Sequence, residues 1–271
     1  MLPIAIRDLM SDVYHFETGT APLFISIPHL GSQIPEPMQP AMTELGLRSG
    51  DTDWHLDRLY AFGRQLGASF LWARYSRYVV DLNRPPNDEN LYPGQAKTGL
   101  CPTHTFDGQP LYRDGRESIP DAEREQRRQQ YWQPYHDQLR REVDRLRAQH
   151  GKVLLWEAHS IASVIPRLFD GKLPDLNIGT SGGASCDPAM EAAIRGQLEQ
   201  CDLSWAINGR FKGGYITRQY GAPDRQVHAI QLEMCQSTYM SESYPYAWRD
   251  DVAGQTAPVV ERLVRAAYER L

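Results

Sequence analysis

Residues 152–158, KVLLWEA, form a nearly continuous apolar run in the second half of the chain. Such a run is typical of a strand covered on both faces, as the strands of parallel sheets are. Further apolar runs predict strands at about 22–28, 69–73, 76–82, 203–208 and 227–234. Segments with helical periodicity lie between them. This alternation predicts an α/β fold, a three-layer α/β/α sandwich around a mixed, largely parallel sheet.

The spacing of apolar residues predicts a helix within 51–67, a long helix over about 121–149 and a last helix over about 256–271. We expect Pro134 to kink the long helix, because proline lacks the amide hydrogen that a helix interior needs. Asp187 and Pro188 predict the start of another helix, with the aspartate as N-cap and the proline in the first turn.

The chain has 271 residues and shows no internal repeat and no composition break. We therefore expect a single catalytic domain over 1–271. A stretch at about 83–120 lacks periodicity and is rich in Pro, Gly, Asn and Asp. A loop insertion of that length in a compact enzyme is usually a lid or a specificity loop.

Charge and composition argue against several classes of function. The formal net charge is −5, which disfavours nucleic acid or an anionic membrane as the main partner. The cysteines form no C-x-x-C pair, no segment resembles a signal peptide, and no apolar run is long enough to span a bilayer. We expect a cytoplasmic protein that acts on a small anionic molecule; its oligomeric state stays open.

Two histidines follow predicted strands. His29 comes after the run at 22–28, and His159 comes directly after KVLLWEA. Ligands gather outside the carboxyl ends of strands in open α/β sheets, and a neutral imidazole is a common metal ligand. The two histidines together predict a metal site, although each alone suits a structural role. The chain contains no H-E-x-x-H and no H-x-x-E motif.

A catalytic zinc typically takes three protein ligands and leaves one position for water. The sequence GDTDWHLD offers Asp53 as the third ligand, with Asp57 as the alternative. Acidic residues also stabilise a helix N-terminus, which explains much of this stretch without a metal.

A bound water needs a base, and Glu233 lies inside the apolar run IQLEM. Burying a carboxyl group is costly unless it has a partner or a function, and burial raises its pKa toward neutrality. Glu233 is therefore the candidate general base; a strand-end glutamate facing solvent or paired with an arginine is the alternative.

Cationic residues indicate anion binding at two places. Asn83 and Arg84 end the segment DLNRPP, and GRFKGGYITRQYG holds Arg210, Lys212 and Arg218 among glycines. Arginine binds a carboxylate through two parallel hydrogen bonds. Arginines on separate loops suit a small substrate with two carboxylates better than a phosphate, since no G-K-[ST] ending is present.

Taken in order, six blocks closely resemble N-formylglutamate amidohydrolases over about 22–240: SIPHLGSQIP, DTDWHLDRLY, VVDLNRPP, WEAHSI, GRFKGGYITRQYG and HAIQLEMCQSTYM. The resemblance implies hydrolysis of N-formyl-L-glutamate to formate and L-glutamate in histidine degradation. It also implies a fold related to the zinc carboxypeptidases, with one zinc ion held by two histidines and a carboxylate. Ser32 departs from that group, because it stands where the H-x-x-E pattern has its glutamate.

The resemblance implies roles for particular residues of this chain. His29 and His159 would hold the zinc, Asn83 and Arg84 match the Asn-Arg pair that binds the substrate carboxylate, and Glu233 matches the catalytic glutamate. Asp53 as the third ligand is inferred from this sequence itself, since the glutamate of the H-x-x-E pattern is absent. The residues expected to bind substrate are Asn83, Arg84, Tyr215, Arg218 and Arg74. Among these, Arg84 and Arg218 would bind the two carboxylates, and Arg74 or Arg84 would stabilise the oxyanion.

Two other interpretations fit the same residues. A zinc hydrolase of another N-acyl amino acid, or a small carboxypeptidase, would use the same metal and base. A non-catalytic protein that binds acidic amino acids would use the arginines but would need neither Glu233 nor a metal.

Overall fold

The computed structural model describes residues 12–89 and 98–271. One sheet of seven strands runs through this part of the chain, in the order β1-β3-β2-β4-β7-β5-β6. The strands are β1 (Tyr14–Glu17), β2 (Leu23–Ile27), β3 (Ser69–Ala73), β4 (Val153–Ile161), β5 (Leu176–Gly179), β6 (Trp205–Ile207) and β7 (Val227–Cys235).

The four neighbouring strands β3, β2, β4 and β7 are parallel to one another. β1 pairs antiparallel with β3, and β5 pairs antiparallel with β7, while β6 is parallel to β5. The prediction of a mixed, largely parallel sheet is confirmed. Two short strands, β1 and β5, were not predicted, because runs of four residues carry little periodicity.

The predicted strand at 76–82 is wrong. This segment forms turns, with hydrogen bonds from the Val79 amide to the Ser76 carbonyl and from the Arg84 amide to the Asp81 carbonyl. Its apolar side chains are nevertheless buried in the core. Both edges of β3 are already occupied, by β1 and β2, so the segment that follows β3 finds no open edge beside it.

Helices cover both faces of the sheet. They are α1 (Glu44–Leu47), α2 (Leu56–Leu59), α3 (Phe62–Gln65), α4 (Asp121–Arg127), α5 (Gln133–His150), α6 (Pro188–Leu198), α7 (Tyr215–Tyr220) and α8 (Asp250–Tyr268). The three-layer α/β/α sandwich is thereby confirmed. None of the helices in the described ranges has the length and apolar character to cross a membrane.

Several helix boundaries differ from the prediction. The helix expected within 51–67 is divided into α2 and α3, which Tyr60 and Ala61 join. Before Pro134, the long helix contains a π-helical segment, Arg128–Trp132. The Asp187 side chain caps α6 as predicted, by accepting a hydrogen bond from the Ala189 amide at 2.8 Å.

The last helix begins at Asp250, earlier than the predicted start at about 256, and ends at Tyr268. Residues 83–89 and 98–120 of the expected loop insertion contain turns and isolated bridges but no strand or α-helix. The remaining residues of that insertion, 90–97, lie outside the described residues.

Side chains of β4 alternate between two apolar clusters. Leu154 and Trp156 pack in the cluster that includes α6 and α8, whereas Val153 and Leu155 pack in the cluster that includes α5 and α7. Because strand side chains alternate with a period of two, Glu157 and His159 face the same side as Val153 and Leu155, the side of α5. The polar site described next lies there, at the carboxyl ends of the parallel strands.

Candidate metal centre and its surroundings

His29 lies two residues beyond the end of β2 and is 3 % exposed. Its Nε2 atom is 2.7 Å from Oδ1 of Asp81, and its Nδ1 atom is 3.7 Å from Oδ2 of Asp53. The backbone also joins the two loops, since the Asp53 amide donates to the His29 carbonyl at 2.9 Å. The histidine ring is thus held between two carboxyl groups.

The sequence predicts that His159 follows a strand. In the structure it lies inside β4, which continues to Ile161. β2 and β4 are parallel neighbours, and Ser26 pairs with Glu157 in their register. This pairing brings His159 beside the loop that follows β2. The ring centroids of His29 and His159 are 5.0 Å apart, although the two residues are far apart in sequence.

Asp53 completes the group. Its Oδ2 atom lies 3.2 Å from Nδ1 of His159 and 3.7 Å from Nδ1 of His29. The Asp53 side chain is fully buried, and its Oδ1 atom has no hydrogen-bond partner. Asp57, the alternative ligand, is exposed in the first turn of α2. Asp53 is therefore the aspartate that the fold places between the histidines.

One ligand atom from each of His29, Asp53 and His159 lies within 4.8 Å of the others. Across residues 12–89 and 98–271, no other set of three His, Cys, Asp or Glu side chains meets this condition. Two imidazoles and a carboxylate are the donor set of catalytic zinc sites, and the orphaned Asp53 oxygen is a buried acceptor that a cation would satisfy. The residues present fit a divalent metal ion.

Asp53 and His159 shift each other's pKa in opposite directions, so that the carboxylate is ionised and the imidazole holds a proton. Burial opposes the charge on Asp53, but hydrogen bonds with His159 and His29 outweigh it and lower the Asp53 pKa to about 2. Burial likewise opposes a charge on His159, but contacts with Asp53 and Glu157 raise its pKa to about 10. A metal ion that binds here displaces a proton, because the ligand nitrogen has to be unprotonated.

Glu233 lies in β7, directly opposite His159 in the parallel register of β4 and β7. The two side chains share one face of the sheet. Burial raises the Glu233 pKa to about 7, chiefly by desolvating the carboxylate. The positive charges of His159, Arg77 and Arg84 oppose this shift. A carboxyl group with that pKa beside the candidate metal ligands can both accept and donate a proton near neutral pH.

Asp81 and Arg77 belong to the site but were not predicted. The Asp81 carboxylate accepts hydrogen bonds from His29, from Arg77 Nη2 at 2.6 Å and from the Asn83 amide at 2.9 Å. Burial opposes its ionisation, but the Arg77 guanidinium and further cationic neighbours hold the Asp81 pKa well below its usual range. Asp81 fixes the ring of His29, as carboxylates commonly do for metal-binding histidines.

Asn83 is predicted to bind substrate, and the fold uses its amide to connect α7 to the site. Its Oδ1 atom accepts a hydrogen bond from the Ile216 amide at 2.9 Å, and its Nδ2 atom lies 3.1 Å from Nε2 of His159. A Cβ atom at Gly214 would come within 2.3 Å of the Asn83 amide. Glycine is thus required where α7 approaches the metal group.

Arg84 is half-buried, and Arg84 Nε lies 3.9 Å from Oδ2 of Asp81. It also donates to the carbonyl and the hydroxyl of Thr98, at 3.1 and 2.8 Å. Tyr215, at the start of α7, is half-buried beside the rings of Trp132 and His136, and its amide donates to the Asn83 carbonyl. Both predicted binding residues therefore border the site; their roles stay predictions.

The remaining two predicted arginines have structural contacts elsewhere. Arg218 is exposed on α7, and its Nε donates to the Gly213 carbonyl at 2.9 Å. Arg74 follows β3 and donates to Oε1 of Gln33 at 3.0 Å. Neither of these hydrogen bonds reaches His29, Asp53 or His159, so the roles of both arginines in substrate binding also stay predictions.

The family model for N-formylglutamate amidohydrolase matches residues 21–240, which include all of the residues that form this site. The chain belongs to the N-formylglutamate amidohydrolase family. The matched segment agrees with the blocks at about 22–240 on which the sequence resemblance depends.

Relatives of this N-formylglutamate amidohydrolase family member are similar over nearly their whole length. The chain is 50 % identical to N-formylglutamate deformylase of Pseudomonas putida over 259 residues, which are 95 % of this chain and 96 % of that protein. It is 49 % identical to N-formylglutamate deformylase of Pseudomonas aeruginosa, with the same coverage. The chain is therefore an enzyme, and the alternative of a non-catalytic binding protein is wrong.

The fold is shared with a solved member of the N-formylglutamate amidohydrolase family. The crystal structure of N-formylglutamate amidohydrolase from Ralstonia eutropha JMP134 superposes with a TM-score of 0.79. The two chains are 23 % identical, and the match covers 95 % of this chain and 98 % of that one. At this identity the likeness establishes the architecture alone.

Proposed function

We propose that this amidohydrolase cleaves the formamide C–N bond of N-formyl-L-glutamate and releases formate and L-glutamate. The observation that carries the proposal is the 50 % identity to a protein named N-formylglutamate deformylase over 95 % of the chain. A substrate with two carboxylates also suits the arginines near the site. In this proposal the enzyme acts in histidine degradation.

His29, Asp53 and His159 would hold one divalent ion, which we propose is zinc. Their buried convergence and the unpartnered Asp53 oxygen support this assignment. When bound, such an ion supplies Lewis-acid polarisation of the formyl carbonyl and lowers the pKa of water. Asp81 holds the His29 ring in place, and the burial of these side chains strengthens electrostatic interactions within the site.

Glu233 is the proposed general base and acid. It accepts a proton from the water whose oxygen attacks the formyl carbon, and it gives a proton to the nitrogen that leaves as the amine of glutamate. The raised pKa of Glu233, about 7, suits both transfers, because neither protonation state is strongly favoured near neutral pH. Its place opposite His159 in the sheet register supports this role.

Binding of the two substrate carboxylates is assigned to Arg84 and Arg218, with Asn83 and Tyr215 in support. Arg74 or Arg84 would stabilise the oxyanion of the tetrahedral intermediate. The positions of Arg84, Asn83 and Tyr215 at the border of the metal group support their part of this assignment.

The test is formate release from N-formyl-L-glutamate, compared with N-formyl-L-aspartate and N-formyl-L-alanine, and glutamate release from N-acetyl-L-glutamate and from a dipeptide that ends in glutamate. We expect kcat/KM to be highest for N-formyl-L-glutamate by at least about 100-fold, since a missing or displaced carboxylate leaves an arginine of the proposed binding site without its partner. Faster turnover of the acetyl compound or of the dipeptide would instead identify another N-acyl hydrolase or a small carboxypeptidase.

The metal is tested separately. Dialysis against a chelator is expected to abolish formate release, and added zinc is expected to restore it. Full activity of protein shown by elemental analysis to contain less than a tenth of an equivalent of metal would refute the metal centre while leaving the substrate assignment standing.

A further inference from the structure

We propose that Glu157 is a positioning residue of the metal centre, which accepts the Nε2 hydrogen of His159 and thereby directs Nδ1 toward the cation. The inference rests on the metal site of the proposed function. Glu157 lies in β4, two residues before His159 on the same face, and its side chain is fully buried. Its Oε2 atom is 3.4 Å from Nε2 of His159.

The first step concerns which nitrogen binds the ion. Both histidines direct Nδ1 toward Oδ2 of Asp53, at 3.7 Å from His29 and 3.2 Å from His159. A neutral imidazole that gives its Nδ1 lone pair to a cation carries its hydrogen on Nε2. His29 has an acceptor for that hydrogen, the carboxylate of Asp81 at 2.7 Å. His159 needs an acceptor of its own.

Two side chains lie near Nε2 of His159, and only one of them can accept. The nearer is Asn83, through Nδ2 at 3.1 Å. The Ile216 N–H donates to Oδ1 of Asn83, and this bond fixes the amide so that Nδ2, not Oδ1, faces His159. Asn83 therefore presents a donor, and Nε2 can accept its hydrogen bond only while Nε2 carries no hydrogen. When Nδ1 binds the cation, the hydrogen lies on Nε2, and the Asn83 NH₂ group cannot accept it. The Glu157 carboxyl group is the acceptor that remains.

The surroundings of Glu157 leave its oxygens available. Neither Oε1 nor Oε2 has a hydrogen bond. Its sheet neighbours Ser26 and Gln231 are engaged elsewhere, with the Tyr135 hydroxyl at 2.8 Å and the Gly214 amide at 2.7 Å. A buried acceptor without a partner is costly, so a carboxyl group in this position indicates a function. The Nε2 hydrogen of metal-bound His159 supplies the missing partner.

The experiment measures zinc affinity by chelator competition in Glu157→Gln, Glu157→Leu and a control, Glu142→Gln. Glu142 is also buried, but it bonds Ser69 and Arg145 at the amino end of β3, the opposite end of the sheet. We expect Glu157→Leu to weaken zinc binding about 10- to 100-fold. Glu157→Gln keeps an acceptor oxygen and is expected to stay within about three-fold of wild type, as is the control.

A second readout separates positioning from a general structural effect. In zinc-loaded protein with ¹⁵N-labelled histidine, the Nε2–H signal of His159 is expected to move upfield in Glu157→Gln, and to move further or be lost to exchange in Glu157→Leu. The corresponding signal of His29, identified through its shift in Asp81→Asn, is expected to stay in place. This measurement does not require turnover.

The outcomes separate the two proposals. Zinc binding by wild type with unchanged affinity in Glu157→Leu, or an unmoved His159 signal in Glu157→Gln, would overturn the role of Glu157 and leave the metal centre intact. If Glu157→Leu does not fold, the shift in Glu157→Gln decides the matter. Wild-type protein that binds no divalent ion would refute the metal centre and this assignment together.

Discussion

The strongest test of how the site is built is the substitution Asp81→Asn. This change keeps the size of the side chain but removes a charge that is bound to the buried Arg77 at 2.6 Å and to His29 at 2.7 Å. Arg77 is 6 % exposed, so water cannot replace the lost carboxylate. The variant therefore leaves a cation buried beside a weakened partner.

The expected magnitude follows from burial. Breaking a buried ion pair from one side costs about 3–5 kcal/mol of unfolding free energy. Burial opposes the charge on Arg77, but Asp53 and Asp51 join Asp81 in raising its pKa, and these two would retain part of the compensation. We therefore expect the lower end, about 3 kcal/mol, which is a large part of the ~5–15 kcal/mol that stabilises a typical domain.

The matched control is Asp250→Asn, which removes the carboxylate of an ion pair with Arg58 that also measures 2.7 Å but lies on the surface. Surface pairs contribute about 0–1 kcal/mol, because water screens the charges. Comparison of the two variants separates the effect of burial from the effect of losing a carboxylate.

The assay is urea denaturation of metal-free protein at pH 7. The folded-state pKa of Asp81 is depressed, so its contribution to stability is fully present above the pKa of the unfolded state, near 3.8, and is lost only as the pH falls below it. At pH 7 the full effect is expected. A cost in Asp81→Asn no larger than that in Asp250→Asn would refute the claim that Asp81 anchors the site.

Three further predictions concern catalysis and pH. Glu233→Gln is expected to lower kcat about 10²–10⁴-fold while zinc content stays at wild-type level, and near-normal kcat would exclude Glu233 as the base. Arg218→Ala is expected to raise KM for N-formyl-L-glutamate much more than for N-formyl-L-alanine; equal changes would place Arg218 outside the carboxylate site. Burial lowers the pKa of His136 to about 3, despite its hydrogen bond to the Leu82 carbonyl. The unfolded chain therefore takes up a proton near pH 6.5 that the folded chain does not, and stability falls with acidification by up to about 1.4 kcal/mol per pH unit between about pH 6 and 4. Urea titrations across that range should show a shallower fall in His136→Gln, and equal slopes would contradict the assignment.

The sequence predicts the site well for residues whose position depends only on the parallel direction of neighbouring strands. His29 and His159 follow or end apolar runs, and parallel neighbours carry such positions to one edge of a sheet. β2 and β4 are parallel neighbours, and the two rings lie 5.0 Å apart. The choice between Asp53 and Asp57 depends on where α2 begins, and sequence patterns locate a helix start only to within a few residues.

The segment at 76–82 could not be predicted in the same way. Its apolar residues and β-branched valines are typical of a strand, and they are buried as a strand's would be. Whether such a run pairs depends on an open sheet edge, and β1 occupies the edge of β3 that a strand here would need. Predicting that this edge is occupied would require β1 to be recognised, and the four residues Tyr14–Glu17 are too short a run for that.

Asp81 and Arg77 lie in the segment 76–82 that was wrongly predicted as a strand, and neither was predicted as a site residue. The sequence does contain a signal for Asp81. Asp81, Glu157 and Glu233 each interrupt an apolar run, in VVDL, LLWEA and IQLEM. All three carboxyl groups are buried. Arg77, whose buried charge balances Asp81, lies in no such pattern, and only the folded chain reveals it.

The three interruptions of apolar runs converge on the two histidines. Asp81 bonds His29, Glu157 approaches His159 from the same strand, and Glu233 faces His159 from the next strand. Because burying a carboxyl group costs several kcal/mol without a partner, such interruptions persist where another group in the fold requires them. The pattern that identified Glu233 as the candidate base therefore also marks the two carboxyl groups that border the metal ligands.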